Sequence, residues 1–173
     1  MAAITITPLT LDPSVLAMLT ELLVEAVASG GSVSFMHPLA PAASEAFWAG
    51  ALMAADRGER IVFGAWDGAA LVGTVTLLLD LPPNQPHRAE IAKMMTRVSH
   101  RKQGIATALI AAAEAAATAL GRSLLVLDTA AEEGAAGLSE RMGFSLAGEI
   151  PGYALKPHGG LTGTLIYWKT IRR

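Results

Sequence analysis

The chain of 173 residues has no cysteine. Disulfides, cysteine-ligated zinc and a thiol nucleophile are thereby excluded together. Charge is sparse: Asp, Glu, Lys and Arg make up 16% of residues and the formal net charge is −2, with a pI near 6.1. That balance supplies no basic surface for a nucleic acid or polyanion partner. Long hydrophobic runs are missing too. The nearest candidate, "GIATALIAAAEAAATAL", is mostly alanine, carries Glu114 and is only 17 residues long, whereas a membrane span needs about 20 strongly apolar residues. The start, "MAAITITPLTLDP", has neither the basic opening nor the apolar core of a signal peptide. A cytoplasmic protein with no membrane partner is expected. The phosphate motifs G-x-x-x-x-G-K-[ST] and G-x-G-x-x-G are absent, as are H-E-x-x-H and G-x-S-x-G, so no metal is expected and the P-loop and Rossmann readings lose their support.

What remains is a chain with 52% hydrophobic residues, long enough for one domain over residues 1–173 with a substantial core. Ala3–Thr7 alternates like a strand. Asp12-Pro13 opens a helix to Ala28, ended by Gly30-Gly31, and a second helix spans Ala42–Asp56. "RIVFGAW" and "ALVGTVTLLLD" form a hairpin at Asp67-Gly68. "AEIAKMMTRV" reads as a third strand, and the alanine-rich segment as a helix presenting Ile105, Leu109, Ala112, Ala116 and Leu120 to a sheet, ended by Gly121. "SLLVLDT" has the continuous apolar character of a strand covered on both faces. A short helix at Ala135–Met142 and strands at Phe144–Ile150 and Thr164–Thr170 complete the order β-α-α-β-β-β-α-β-α-β-β. The fold class is α/β, a mixed and mostly antiparallel sheet with one parallel βαβ crossover.

The segment "SHRKQGIATAL", Ser99–Leu109, leaves a strand and enters a helix at once. Gly104 can adopt backbone angles closed to other residues, and Ala106 leaves little side chain above the turn. The first N–H groups of the helix have no internal partners, so the turn can hold a phosphate with help from Arg101 and Lys102. An ordinary strand-to-helix turn has the same spacing.

"MMTRVSHRKQGIATAL" resembles the acetyl-CoA signature of the GCN5-related N-acetyltransferases, in which a strand is followed by Arg/Gln-x-x-Gly-x-Gly/Ala at a helix start, here Arg101, Gly104 and Ala106. The element order is similar to that family's acyl-CoA N-acyltransferase-like fold. Through "GGSVSF", "LVGTVTLLLD", "HRAEIAKMM", "GRSLLVLDT", "GFSLAGEIPGYA" and "TGTLIYWK" the chain most resembles small bacterial acetyltransferases of the tabtoxin-resistance kind. The resemblance implies acetyl-CoA as acetyl donor, a primary amine of a small, toxin- or antibiotic-like molecule as acceptor, and direct transfer in a ternary complex. Many family members dimerise, so a homodimer is an expectation.

It further implies that the amides of Lys102, Gln103, Gly104, Ile105, Ala106 and Thr107 hold the pyrophosphate, and that the pantetheine arm runs along Met94, Met95, Thr96 and Val98. Six residues at about 3.3 Å cover about 20 Å, which brings the thioester near Ala92. Glu90 and Asp128 then converge on the acceptor amine as proton-accepting carboxylates. The plainer alternative pairs Glu90 with Arg88 or Lys93 and makes Asp128 a turn cap. Glu132 and Glu133 add acidic character that favours a small cationic amine.

Phe35, Met36, His37 and Tyr153 are the candidate acceptor-binding residues, with a local hydrophobic plug as the plainer reading of Phe35-Met36. Phe47 and Trp48 are expected in the core, and His87, His100 and His158 at the solvated surface. One departure matters. Many family members carry a tyrosine in Leu-Tyr-x-x-x-Gly-Phe that protonates the leaving thiolate, and here "LSERMGF" places Ser139 there. A serine hydroxyl is a far weaker acid, which keeps a second reading open: an acetyl-CoA-binding sensor with little or no catalytic activity.

Overall fold

The computed structural model describes residues 3–132 and 135–172. Its strands are β1 (Ile4–Pro8), β2 (Arg60–Asp67), β3 (Ala70–Leu78), β4 (Arg88–Thr96), β5 (Leu124–Ala130), β6 (Ser145–Leu155) and β7 (Leu161–Thr170). Its helices are α1 (Pro13–Ala28), α2 (Pro41–Asp56), α3 (Ile105–Ala119) and α4 (Ala135–Arg141). The strands form a single sheet in the order β1-β2-β3-β4-β5-β7-β6. The β4–β5 pair is parallel, and every other neighbouring pair is antiparallel. This is the mixed sheet with one βαβ crossover that the element order predicts, with α3 as the crossover helix.

Local chemistry accounts for the helix ends. Asp12 Oδ1 accepts from the Ser14 and Val15 N–H groups at 2.9 and 3.2 Å, and Pro13 occupies the first helical position. Both devices satisfy or dispense with donors that a helix start leaves over. Two cores lie on opposite faces of the sheet. One joins α1 and α2 to it through Leu19, Leu22, Leu23, Trp48, Leu52, Val62, Leu71 and Met95. The other lies under α3, with Val75, Leu77, Ile91, Leu109, Ile110 and Leu125. Among the described residues no helix is long and apolar enough to cross a membrane.

Three expectations are corrected. The buried stripe of α3 is Ile105, Leu109, Ile110, Ala113 and Ala117, while Leu120 is 54% exposed. Ile110 rotates the stripe towards itself, because covering a large aliphatic removes more apolar surface from water than covering an alanine. Strand β5 is fully covered on one face only. Leu125 and Leu127 are buried, Leu124 and Val126 are partly covered and Asp128 is exposed. The α1–α2 core takes in residues of β2, β3 and β4 but none of β5, so that face stays open. Finally, β6 begins at Ser145 and runs to Leu155. Ile150 pairs with Thr164 and Ala154 with Thr162, which sets Pro151, Gly152 and Tyr153 against Gly163 alone. Gly152 supplies the positive φ of 60° inside this bulge.

Candidate active site

The site begins as an irregularity between β3 and β4. Thr74 pairs with Met95 and Thr76 with Ala92, so Lys93 and Met94 together face Val75. Lys93 carries the extra residue at φ 53°, a left-handed conformation that costs a residue bearing a Cβ. After the bulge Met94 packs towards the α3 core and Met95 enters the α1–α2 core. The parallel pairing of β4 with β5 covers Arg88–Ile91 against Leu124–Leu127 and goes no further. Past Ile91 the two strands part, and a cavity of about 460 Å³ opens there.

The far wall of that cavity is the start of α3. Gly104 is its N-cap at φ 79° with no side-chain cap, and the first helical bond runs from the Ala108 N–H to the Gly104 carbonyl at 3.1 Å. The N–H groups of Ile105, Ala106 and Thr107 precede that bond, and these residues line the cavity. A Cβ on Gly104 would meet nothing within 4 Å, so glycine serves the backbone angle there rather than space. Gly73 serves space. Its hypothetical Cβ would lie 3.0 Å from Ile105 Cγ2, 3.2 Å from the Met95 carbonyl and 3.3 Å from Leu109 Cδ1, so its bareness lets the first turn of α3 seat directly on β3.

Most of the residues assigned to cofactor binding meet here: Met94, Met95, Thr96, Arg101, Lys102, Gly104, Ile105, Ala106 and Thr107 all line the cavity. Val98 and Gln103 lie outside this lining. Val98 sits in a 3₁₀ turn, Val98–His100, and its N–H donates to Glu25 Oε2 at 3.2 Å. Gln103 donates through Nε2 to the Ser99 carbonyl at 3.4 Å. Uncapped amides, a left-handed turn and two cations make a cradle with the donors a pyrophosphate requires.

Three of the four candidate acceptor residues, Phe35, Met36 and Tyr153, line a second cavity of about 250 Å³ together with Asp128, Leu155 and others. The two cavities share Ser32, Ser34, Asp128 and Thr129 in their walls. Asp128 therefore stands at the junction, near the end of β5, where its Oδ2 accepts from the Thr164 hydroxyl at 3.1 Å. Glu90 is placed differently. It lies outside both linings and accepts a 2.6 Å ion pair from Arg88 Nη1, which is the pairing that the plainer reading anticipates. His37 lies outside both linings as well. Its ring packs on His158 with centroids 4.3 Å apart, its backbone N–H donates to the Pro157 carbonyl at 2.9 Å, and His158 Nε2 lies 3.0 Å from the Ala28 carbonyl. Glu132 pairs with Lys156 at 3.0 Å, and Glu133 is outside the described residues.

Phe35 meets Phe47 edge-on at 5.3 Å while Met36 is 45% exposed, so the pair is half plug and half wall. Trp48 is buried in the core as expected. His100 departs from a simple surface role, with Nε2 2.9 Å from Asp67 Oδ2. Ser139 is buried and lines the larger cavity beside Leu138 and Arg141.

Sequence reasoning missed Lys93 and Ser34 as site residues. Lys93 Nζ donates to Ser34 Oγ at 2.8 Å and lies 5.9 Å from the Phe47 ring centroid. Burial holds its pKa below the ordinary lysine value, a shift that Asp128 opposes and Arg60 deepens. The available signal was a cation in the apolar half of the strand, between Ala92 and Met94. Ser34 at φ 77° joins Lys93 at φ 53° and Lys102 at φ 61° as the non-glycine residues with positive φ among those described. All three line the larger cavity, a concentration of backbone strain that marks functional sites.

Comparison with known structures agrees with this geometry. The fold matches a phosphinothricin acetyltransferase of Sinorhizobium meliloti in complex with acetyl-CoA, with a TM-score of 0.79 at 21% identity over 97% of this chain and 89% of that one. It matches yncA of Salmonella typhimurium with its cofactor acetyl-CoA at 0.75 and 14%, over 95% and 93%. A ribosomal-protein-alanine N-acetyltransferase of Brucella melitensis gives 0.82 and 19%, over 96% and 99%. At these identities the likeness is one of fold. The family model of the GNAT acetyltransferases matches residues 23–144, a span that holds the end of α1, all of α2, the bulged β4, the uncapped start of α3 and Asp128, and the chain belongs to that family.

Proposed function

We propose that this protein is an acetyl-CoA-dependent N-acetyltransferase acting on a primary amine of a small molecule. The observation that carries the reading is the meeting of two cavities at Asp128, one walled by uncapped helix amides and the other by Phe35, Met36 and Tyr153. A donor and an acceptor can enter from different sides and meet at one carboxylate. Family membership and two neighbours solved with acetyl-CoA support the donor. The phosphinothricin acetyltransferase neighbour keeps a toxin- or antibiotic-like amine, as in the tabtoxin-resistance likeness, in view as the acceptor.

In this reading acetyl-CoA supplies an activated thioester for attack by the amine. The amides of Lys102–Thr107 hold its pyrophosphate, and the segment Met94–Val98 guides the arm that follows. Backbone N–H groups of β4 freed by the bulge face the developing oxyanion. Asp128 receives the incoming ammonium and takes its proton, directly or through water. Glu90, on the same strand as Lys93, assists from its pair with Arg88. Ser139, in the usual tyrosine position, leaves protonation of the thiolate to solvent or to Tyr153. The sensor reading rests on Ser139 alone, and neither the fold nor the comparisons add to it.

The test is thiol release with acetyl-CoA and a library of amines, run beside thermal stabilisation by CoA. Stabilisation together with turnover of at least one small amine is expected. Stabilisation with no turnover across the library overturns the catalytic reading in favour of the sensor, and absence of both overturns the donor assignment.

A further inference from the structure

Most cations near the sheet are spent on carboxylates. Arg57 pairs with Glu59, Arg88 with Glu90, Arg97 with Glu21 and Glu25, and Lys169 with Glu114. Two are not. Lys93 makes one hydrogen bond, to the neutral hydroxyl of Ser34. Arg60 makes none among the described residues, and its Nε is buried without an acceptor.

Both belong to the same side of the sheet. The register sets Arg60 opposite Leu78, Leu78 opposite Glu90 and Glu90 opposite Val126, a row straight across β2, β3, β4 and β5. Arg60 alternates with Ile61 and shares its face with Val62, which enters the α1–α2 core. Lys93 meets Ser34 and Phe47 on that face as well. Neither cation forms an ion pair with Asp128, whose Oδ2 accepts from Thr164. That face thus carries Lys93, which lines the larger cavity with donors unspent, Arg60, which lies outside both linings, the Arg88–Glu90 pair, and Asp128 at the junction of the cavities with no ion pair to either free cation. Leaving a partly buried cation unpaired is costly, and the fold adds the cost of a left-handed bulge to present Lys93 to the cavity.

We infer that Lys93, backed by Arg60, is an anion subsite: the acceptor carries a carboxylate beside its amine, and the two groups are received at Lys93 and Asp128 respectively. The inference rests on the acetyl-transfer reading and narrows its substrate from any small cationic amine to an amino acid or a molecule bearing an amino-acid group. An amine without an acid group leaves Lys93, with the charge of Arg60 behind it, unpaired in the bound complex. A polyamine brings a second positive charge against them. Both are disfavoured by the same pair of residues.

The experiment compares free amino acids with their methyl esters and their decarboxylated amines as acceptors, in wild type, Lys93→Met, Lys93→Arg and Arg60→Gln. Wild type should favour the acids in kcat/KM, and Lys93→Met should collapse the acid-to-ester ratio by at least about tenfold, chiefly through KM. Lys93→Arg should keep most of the ratio, and Arg60→Gln should lower it less. A second readout needs no turnover: binding of N-acetyl amino acids, against N-alkyl acetamides, to CoA-loaded protein by calorimetry. Acids and esters used equally well by wild type overturn the subsite, as does a Lys93→Met loss in kcat that is equal for both. If no amine is acetylated while N-acetyl amino acids bind in a Lys93-dependent way, the subsite stands and the catalytic reading falls.

Discussion

Lys93 Nζ donates to Ser34 Oγ across 2.8 Å, and both residues hold left-handed backbone, at φ 53° and 77°. The bond ties the bulge of β4 to the loop between α1 and α2. It joins a strand of the larger cavity to a loop that lines both cavities, 59 positions apart in sequence. Four consequences can be measured.

Lys93 carries a pKa lowered by burial. Between that value and the ordinary 10.5 the unfolded chain binds the proton more readily than the folded one. Stability contributed at this position therefore rises with pH across that interval, and the burial penalty is full below it. Lys93→Met removes the penalty. Its Tm should exceed that of wild type at neutral pH, with the gap closing as pH climbs towards 10.5, as read by calorimetry across a pH series. A gap independent of pH would assign the effect to packing alone.

Gly104 occupies φ 79° at the start of α3 with open space around it. Gly104→Glu places a carboxylate at the uncapped amides, where it competes with and repels a pyrophosphate. Calorimetry should show CoA binding lost while circular dichroism shows a folded domain. Unchanged CoA affinity would move the pyrophosphate elsewhere.

The carboxylates should separate by rank. Asp128 stands where the cavities meet, so Asp128→Asn should cut kcat by about 10² or more, the range of general-base catalysis, with little change in CoA affinity. Glu90 is held by Arg88 at 2.6 Å away from both linings, so Glu90→Gln should lower the rate less, though still more than it changes CoA affinity. A larger loss in Glu90→Gln than in Asp128→Asn would reverse their roles.

Gly73 allows the first turn of α3 to touch β3. A methyl group there must displace Ile105 Cγ2 and the Met95 carbonyl, at 3.0 and 3.2 Å. Gly73→Ala should cost about 1–3 kcal/mol of stability, the range for overpacking, read from urea denaturation. CoA affinity should fall with it, because Ile105 and Met95 both line the larger cavity. A destabilised variant with full CoA affinity would show that the helix start adjusts independently of the sheet.

Local grammar made much of the fold legible. Asp12-Pro13, Gly121 and Asp67-Gly68 are short signals whose physics acts within a few residues, and they set the ends of α1, α3 and the β2–β3 hairpin where expected. The glycine turn into α3 at Gly104 was legible for the same reason. What stayed hidden depends on pairing across strands. Nothing in "EIAKMM" announces that Lys93 and Met94 share one partner on β3, because a bulge is a mismatch between two strands and neither sequence contains it alone. The buried face of α3 was misjudged by a fraction of a turn, since alanines weakly mark a face and Ile110 decided it. Glu90 and Asp128 look alike as strand carboxylates. Only the opening of the sheet after Ile91 sends one to a cavity and the other to an arginine.

The three left-handed residues that ring the cavity also limit how this protein can be improved as a reagent. Ser34, Lys93 and Lys102 each store strain of about 1–3 kcal/mol, and replacing any of them by glycine is an obvious route to a more heat-resistant protein. That route draws on the shape of the site itself. Stabilisation sought in the α1–α2 core leaves this tension in place, so heat resistance and turnover should be tunable there without opposing one another.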